Sequence, residues 1–192
     1  MDKTTLLTRR EFIRLLTIAA SAYPLISLAS IRQQRSYNDS IQEPWKTITA
    51  VQEHLFPAEE NSPGASDINA LAYLKNMMGT QAFDKEQSVL IHNGVGWLNE
   101  LTKQHHSKMF FELDTDSKEK VLRRIESSSA GSRWISTLLT YLIEALLSDP
   151  VYGGNPNGIG WDWLNHKPGF PLPTEDKKYY KLSNKKVRNI KA

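Results

Sequence analysis

Apolar residues recur along most of the chain at three- and four-residue steps, the spacing that puts one face of an α-helix against a core. Trp45, Ile48, Val51 and Leu55 form the first such face, and Pro57 ends it because proline cannot continue a helix. Asn61-Ser62-Pro63-Gly64 reads as a turn. Ser66 or Asp67 is placed to cap a second helix, buried through Ile68, Leu71, Leu74 and Met78 and stopped by Gly79. Asp84 with Gln87 predicts a capping box for a third, whose stripe is Leu90, Ile91, Val95, Leu98 and Leu101. Gly94 and Gly96 lie inside that helix, where each costs about 1 kcal/mol relative to alanine, so close packing or a kink is expected there. Asp114-Thr115 opens a short helix with Val121, Leu122 and Ile125. Ser132 can cap a longer one carrying Trp134, Leu138, Tyr141, Leu142, Ala145 and Leu146, ended at Asp149-Pro150.

No stretch alternates apolar and polar residues for long enough to predict a strand. The expected fold is therefore all-α, a compact bundle of about five helices. After Pro150 the texture changes: residues 150–174 hold five of the ten glycines and five of the nine prolines. Tyr152, Trp161, Trp163 and Phe170 lie in the same stretch, and that aromatic content predicts an ordered loop rather than a disordered linker. Polar residues 31–43 read as a linker, residues 44–176 as the helical domain, and 177–192 as a mobile basic tail.

Charge sharpens this division. Residues 1–30 carry four basic and two acidic side chains, residues 31–166 twelve and seventeen, and residues 167–192 eight and two. The basic excess thus belongs to the two ends, and the acidic body argues against nucleic-acid binding. The chain has no cysteine, which excludes disulfides, thiolate zinc sites, cysteine-ligated iron–sulfur clusters and covalent c-type haem.

At the N-terminus, Arg9-Arg10-Glu11-Phe12-Ile13-Arg14 precedes an uncharged run from Leu15 to Ser30. The arrangement resembles a twin-arginine (Tat) export signal, with Arg9, Arg10 and Phe12 as its marks, and assigns residues 1–30 to it. An amphipathic first helix is the alternative reading. The Tat route carries folded proteins, often with a cofactor already inserted, yet the sequence has no G-x-G-x-x-G fingerprint, phosphate loop or metal-spaced cluster. One economical explanation is that the signal serves a folded partner that carries the cofactor.

The most distinctive segment is Asp149-Pro150-Val151-Tyr152-Gly153-Gly154-Asn155-Pro156-Asn157-Gly158-Ile159-Gly160-Trp161, continuing to Pro168-Gly169-Phe170. It resembles the signature of the gluconate 2-dehydrogenase subunit 3 family, and Leu55-Phe56-Pro57 with Pro63-Gly64-Ala65 is similar to that family's first helix and turn. The resemblance implies a helical, cofactor-free small subunit that pairs with an FAD-containing large subunit of the glucose–methanol–choline type. It further implies a cytochrome c subunit, with its haem, as electron acceptor, and a periplasmic location reached through the Tat translocase.

Physically, Gly153, Gly154 and Gly158 permit positive φ and close backbone approach, Asn155 can bond backbone groups, and Trp161 can cover the loop facing inward. Together with Pro168 and Gly169 these residues structure the loop, while the rims of Tyr152, Trp163 and Phe170 are candidates to anchor a partner. His54, His92, His105, His106 and His166 and the carboxylate pairs Glu59-Glu60 and Asp114/Asp116 carry no catalytic assignment. Two rival functions remain: a hydrolase using His166 and Asp162, and a periplasmic sugar-binding module stacking sugars on Trp161, Trp163 and Tyr152.

Overall fold

A computed structural model describes residues 42–169 and 171–186 of the chain. Among them are seven α-helices and no strand, so the protein is all-α. The five expected helices are α1 (Trp45–Leu55), α2 (Ala70–Met78), α3 (Lys85–His106), α4 (Thr115–Glu126) and α5 (Ser129–Leu147). Two short ones follow, α6 (Ile159–Trp163) inside the glycine-rich loop and α7 (Tyr179–Lys186) in the basic segment. The stretch expected to be a mobile tail is thus helical through Lys186, and its Lys178 is buried.

Six consecutive residues of α1, Thr47 to Gln52, are buried, which requires neighbours on every side of the helix. It is surrounded by α2, α3, α4, α5 and the 3₁₀ turn Phe110–Glu112. The core has two parts. Ile48, Val51, Leu74, Ile91, Leu98, Phe110, Trp134 and Leu138 form the larger, between α1, α2, α3, α4 and the first half of α5. Phe56, Ile68, Tyr73, Met77, Leu142, Ala145 and Leu146 form the second, and Tyr152, Ile159, Trp163 and Leu164 of the loop pack against it.

Gly94 explains how the larger part closes. A Cβ at Gly94 would stand inside the Trp134 indole, so only glycine lets α5 lay that fully buried ring on α3. The indole N–H then donates to the Ile91 carbonyl at 3.1 Å. Gly96, by contrast, has nothing against it.

Three caps differ from the sequence reading. The α5 cap is Ser128, whose Oγ accepts the Gly131 N–H at 3.0 Å, four residues before Ser132. The α2 cap is Asn69 at φ 54°, because Ser66 and Asp67 are engaged elsewhere. Ser66 donates to Glu53 at 2.7 Å and Asp67 accepts the Gly64 N–H at 2.7 Å. Asp84 does cap α3, accepting the Glu86 N–H, but Gln87 does not complete a box: its Oε1 accepts the Tyr141 hydroxyl at 2.6 Å, tying α3 to α5.

Candidate functional site

The glycine-rich loop begins where α5 ends. Asp149 Oδ1 accepts the Val151 N–H at 3.0 Å and so caps a 3₁₀ turn over Pro150–Tyr152. Gly153 follows at φ 97°, a conformation that side chains disfavour, with Asn76 of α2 filling the space where its Cβ would stand. Asn76 Nδ2 donates to the Tyr152 carbonyl at 3.2 Å. A Cβ on Gly154 would lie 2.7 Å from the Ala145 carbonyl oxygen, and one on Gly160 would collide with that of Leu146. The loop therefore lies directly on the backbone of α5, closer than any larger residue allows.

Asn155 pins it there. The residue is fully buried at φ 47°, a left-handed conformation that asparagine tolerates. Its N–H donates to the Ile68 carbonyl at 3.0 Å, its Nδ2 to the Ser148 carbonyl at 3.0 Å, and its Oδ1 accepts the Gly160 N–H at 2.7 Å. One side chain thus joins the end of α5 to the start of α6, while its backbone reaches the segment before α2. Trp161 is buried over the same junction, donating its indole N–H to the Leu147 carbonyl at 2.8 Å. Gly158, at φ 76°, lies under the Trp161 ring.

The partner-anchor candidates occupy different surroundings. Trp163 is half-buried, edge-on to Phe56 with ring centroids 6.1 Å apart. Tyr152 is half-buried beneath α7, its ring 5.9 Å from Tyr179 and 6.3 Å from Tyr180, and its hydroxyl accepts the Tyr179 N–H at 3.1 Å. Pro168 and Gly169 are exposed at the loop's end. Phe170, like Arg9, Arg10 and Phe12, lies outside the described residues.

The titratable candidates are dispersed. His54 Nε2 lies 2.7 Å from Glu119 Oε2, linking α1 to α4, and Arg123 Nε donates to Glu119 Oε1 at 2.9 Å. The His54 bond is the chief reason that the Glu119 carboxyl is held below the ordinary glutamate value. His92 bonds the Ser88 carbonyl of its own helix and meets Trp45 edge-on. His105 and His106 are exposed in the last turn of α3. Asp162 and His166 are exposed, His166 with its ring 6.4 Å from Trp161. Asp114 caps α4 through the Ser117 N–H, and Glu59-Glu60 stand exposed at a turn. No group of three His, Asp or Glu side chains among the described residues is placed to hold a metal ion.

Two polar arrangements escaped the sequence reading. Asn99, buried on α3, donates to Thr47 Oγ1 at 3.1 Å and accepts the Phe110 N–H at 3.3 Å. Beside it runs an open groove of about 520 Å³ lined by Glu43, His92, Gly96, Glu100 and Lys103. The second arrangement surrounds Glu144 of α5. Tyr73 donates to Glu144 Oε2 at 3.1 Å, and burial followed by this carboxylate pushes the Tyr73 hydroxyl well above its ordinary value. The same two causes push Tyr141 up to about 12 and raise Tyr179. Partners 71 residues apart, as Tyr73 and Glu144 are, leave no local signal.

Fold and site together define an all-α domain closed by an aromatic loop that glycines seat on the longest core helix's neighbour, α5. Residues 42–169 match the family described as gluconate 2-dehydrogenase subunit 3, and the chain belongs to that family, whose members are subunits of a dehydrogenase complex. No curated protein and no solved structure matches the chain.

Proposed function

We propose that this chain is the non-catalytic small subunit of a periplasmic FAD-dependent dehydrogenase of the glucose–methanol–choline type, acting on a sugar, sugar acid or alcohol. FAD sits in the large subunit, haem in a cytochrome c subunit, and the small subunit assists export, maturation or stability of the flavoprotein. The observation that carries this reading is the family match over residues 42–169, which takes in all five core helices and the loop from Tyr152 to Gly169. The paired Arg9-Arg10 supports the export role, since a signal on the small subunit can carry a folded, cofactor-loaded partner with it.

Such a complex has to survive translocation folded, which calls for an aromatic anchor at the centre of the interface, because solvent-exposed ion pairs contribute only about 0–1 kcal/mol each. Trp163 is the first choice, followed by Tyr152 and Phe170; α7 already covers part of Tyr152. The test is co-expression with the large subunit and cell fractionation. Arg9→Lys with Arg10→Lys should leave both chains in the cytoplasm, and periplasmic recovery of both would refute the export role. Trp163→Ala should lower co-purification by more than the loss of its packing on Phe56 lowers the melting temperature of the isolated chain, and full recovery of the complex would remove it as the anchor.

A further inference from the structure

The helix α3 runs for 22 residues, about 33 Å, and its two sides meet different surroundings. Ile91, Val95 and Leu98 enter the core, whereas Val89, Asn93, Gly96, Trp97 and Glu100, which recur at three- and four-residue steps and so share the opposite side, are all exposed. Two of these are large and apolar, Val89 at 57% and Trp97 at 38% exposure. Between them stands Gly96, where a Cβ would meet no described atom within 4 Å. Gly94, two residues earlier, makes room for Trp134; Gly96, equally unfavourable to the helix, makes room for nothing among the described residues. His92, Gly96, Glu100 and Lys103 also line the open groove of about 520 Å³.

We propose that this face docks on the same face of a second copy of the chain, as an antiparallel pair of α3 helices meeting at Gly96. The missing side chain fixes the register, because two helices approach most closely where neither carries a Cβ. A two-fold axis at Gly96 sets each residue opposite the one equally far beyond it. His92 then faces Glu100 of the second copy, Val89 faces its Lys103 and Glu86 faces its His106. No like charges meet in that register, and the lysine stem covers the valine. The same axis brings the two Trp97 rings, each one residue from Gly96, to one side of the crossing, where an aromatic pair can centre the interface. A parallel pair would instead set Glu100 on Glu100 and Lys103 on Lys103, which repel. Self-complementarity is what a two-fold interface requires and a foreign partner does not, and it is the reason to place a second copy here. A single helix pair buries less than a standard interface, which makes the association weak and reversible. It involves this chain alone and does not depend on a flavoprotein partner.

Sedimentation equilibrium of the full chain between about 1 and 200 µM should show a monomer in exchange with a dimer. Glu100→Lys and His92→Glu should each raise the dissociation constant about tenfold, since each sets like charges opposite one another. The double variant should return to within about threefold of the parent, because it restores an opposite pair with the signs exchanged. Within one chain positions 92 and 100 lie about 12 Å apart along α3, too far to compensate each other, so the rescue can come only from across the pair. Gly96→Leu has open space for its side chain in the folded monomer and should keep the parent's helix content and cooperative melting, yet abolish the dimer by holding the helices apart. A parent that stays monomeric throughout overturns the proposal, as does a double variant no better than the single ones. Association that survives Gly96→Leu unchanged overturns it too, as it would if residues 1–30 were the source.

Discussion

Between Trp45 and Leu147 the chain is held by apolar stripes on long helices, while between Ser148 and Gly169 the apolar contacts of Tyr152, Ile159, Trp163 and Leu164 are joined by glycines, one asparagine and backbone carbonyls that set the path. In the first region side chains fill the space between helices and a polar bond such as Trp134 to Ile91 only finishes the fit. In the second, Gly154 and Gly160 allow backbone to touch backbone, and the hydrogen bonds of Asn155 and Trp161 fix the path. Apolar burial tolerates substitution by residues of similar volume, whereas a contact made by the absence of a side chain tolerates none.

The comparison can be broken most forcefully at Trp134. Trp134→Ala removes the largest fully buried side chain and leaves a cavity between α3 and α5 with the Ile91 carbonyl bond lost. A loss of about 3–5 kcal/mol is expected from urea unfolding of the whole domain. Asn155→Ala comes next, at about 2–3 kcal/mol, since it orphans the Ser148 carbonyl and the Gly160 N–H and puts alanine at φ 47°. Its damage should be local. Hydrogen exchange should accelerate at the amides of residues 156–164 well before those of α1 and α3, and uniform acceleration would mean that loop and helices unfold as one unit.

The helical part was legible because its signal is periodic. The stripes through Ile48 and Val51, Ile91, Val95 and Leu98, and Leu138 and Leu142 are buried as their spacing predicts. Caps were legible only where no long-range partner competed: Asp114 holds its own helix, but Ser66 and Gln87 were drawn away by Glu53 and Tyr141, partners that local sequence cannot reveal. In the loop, residue types signalled close approach without saying to what. That Gly160 lies on the Leu146 carbonyl and Gly153 on Asn76 depends on how α2 and α5 are placed, which is decided by the core. The helix at Tyr179–Lys186 was hidden for another reason: its lysine-rich composition carries too few apolar residues to read as a buried stripe.

A matched pair of glycines sharpens the contrast. Gly160→Ala drives a methyl group into the Leu146 carbonyl and should cost about 1–3 kcal/mol, because backbone on both sides resists moving. Gly96→Ala meets only open space within the interior of α3, and should stabilise by roughly 0.5–1 kcal/mol through restored helix propensity. Melting temperatures of the two variants should therefore move in opposite directions, and a common direction would mean that close approach is not what glycine supplies in the loop.

The smallest effect is expected from a polar link at the edge of the helical part, where the bond between His54 and Glu119 joins α1 to α4. The Glu119 carboxyl is held below its ordinary value by the His54 bond first, against the opposing effect of its partial burial, with Arg123 adding to the lowering. The folded chain thus binds this proton less tightly than the unfolded chain does. The stabilisation is complete above the ordinary glutamate value of 4.5 and drains as pH falls through the lowered folded value. Because the Glu119 side chain is 37% exposed, solvent screening keeps the contribution small. Glu119→Gln should be slightly less stable than the parent at neutral pH and converge with it in acid, in urea midpoints measured below about pH 5. A deficit that persists unchanged at low pH would trace the loss to packing rather than charge. Either way it should fall well short of Asn155→Ala, since α1 and α4 remain joined by apolar contacts when the Glu119 bonds go, whereas Asn155→Ala leaves a carbonyl and an N–H without their partner inside the loop.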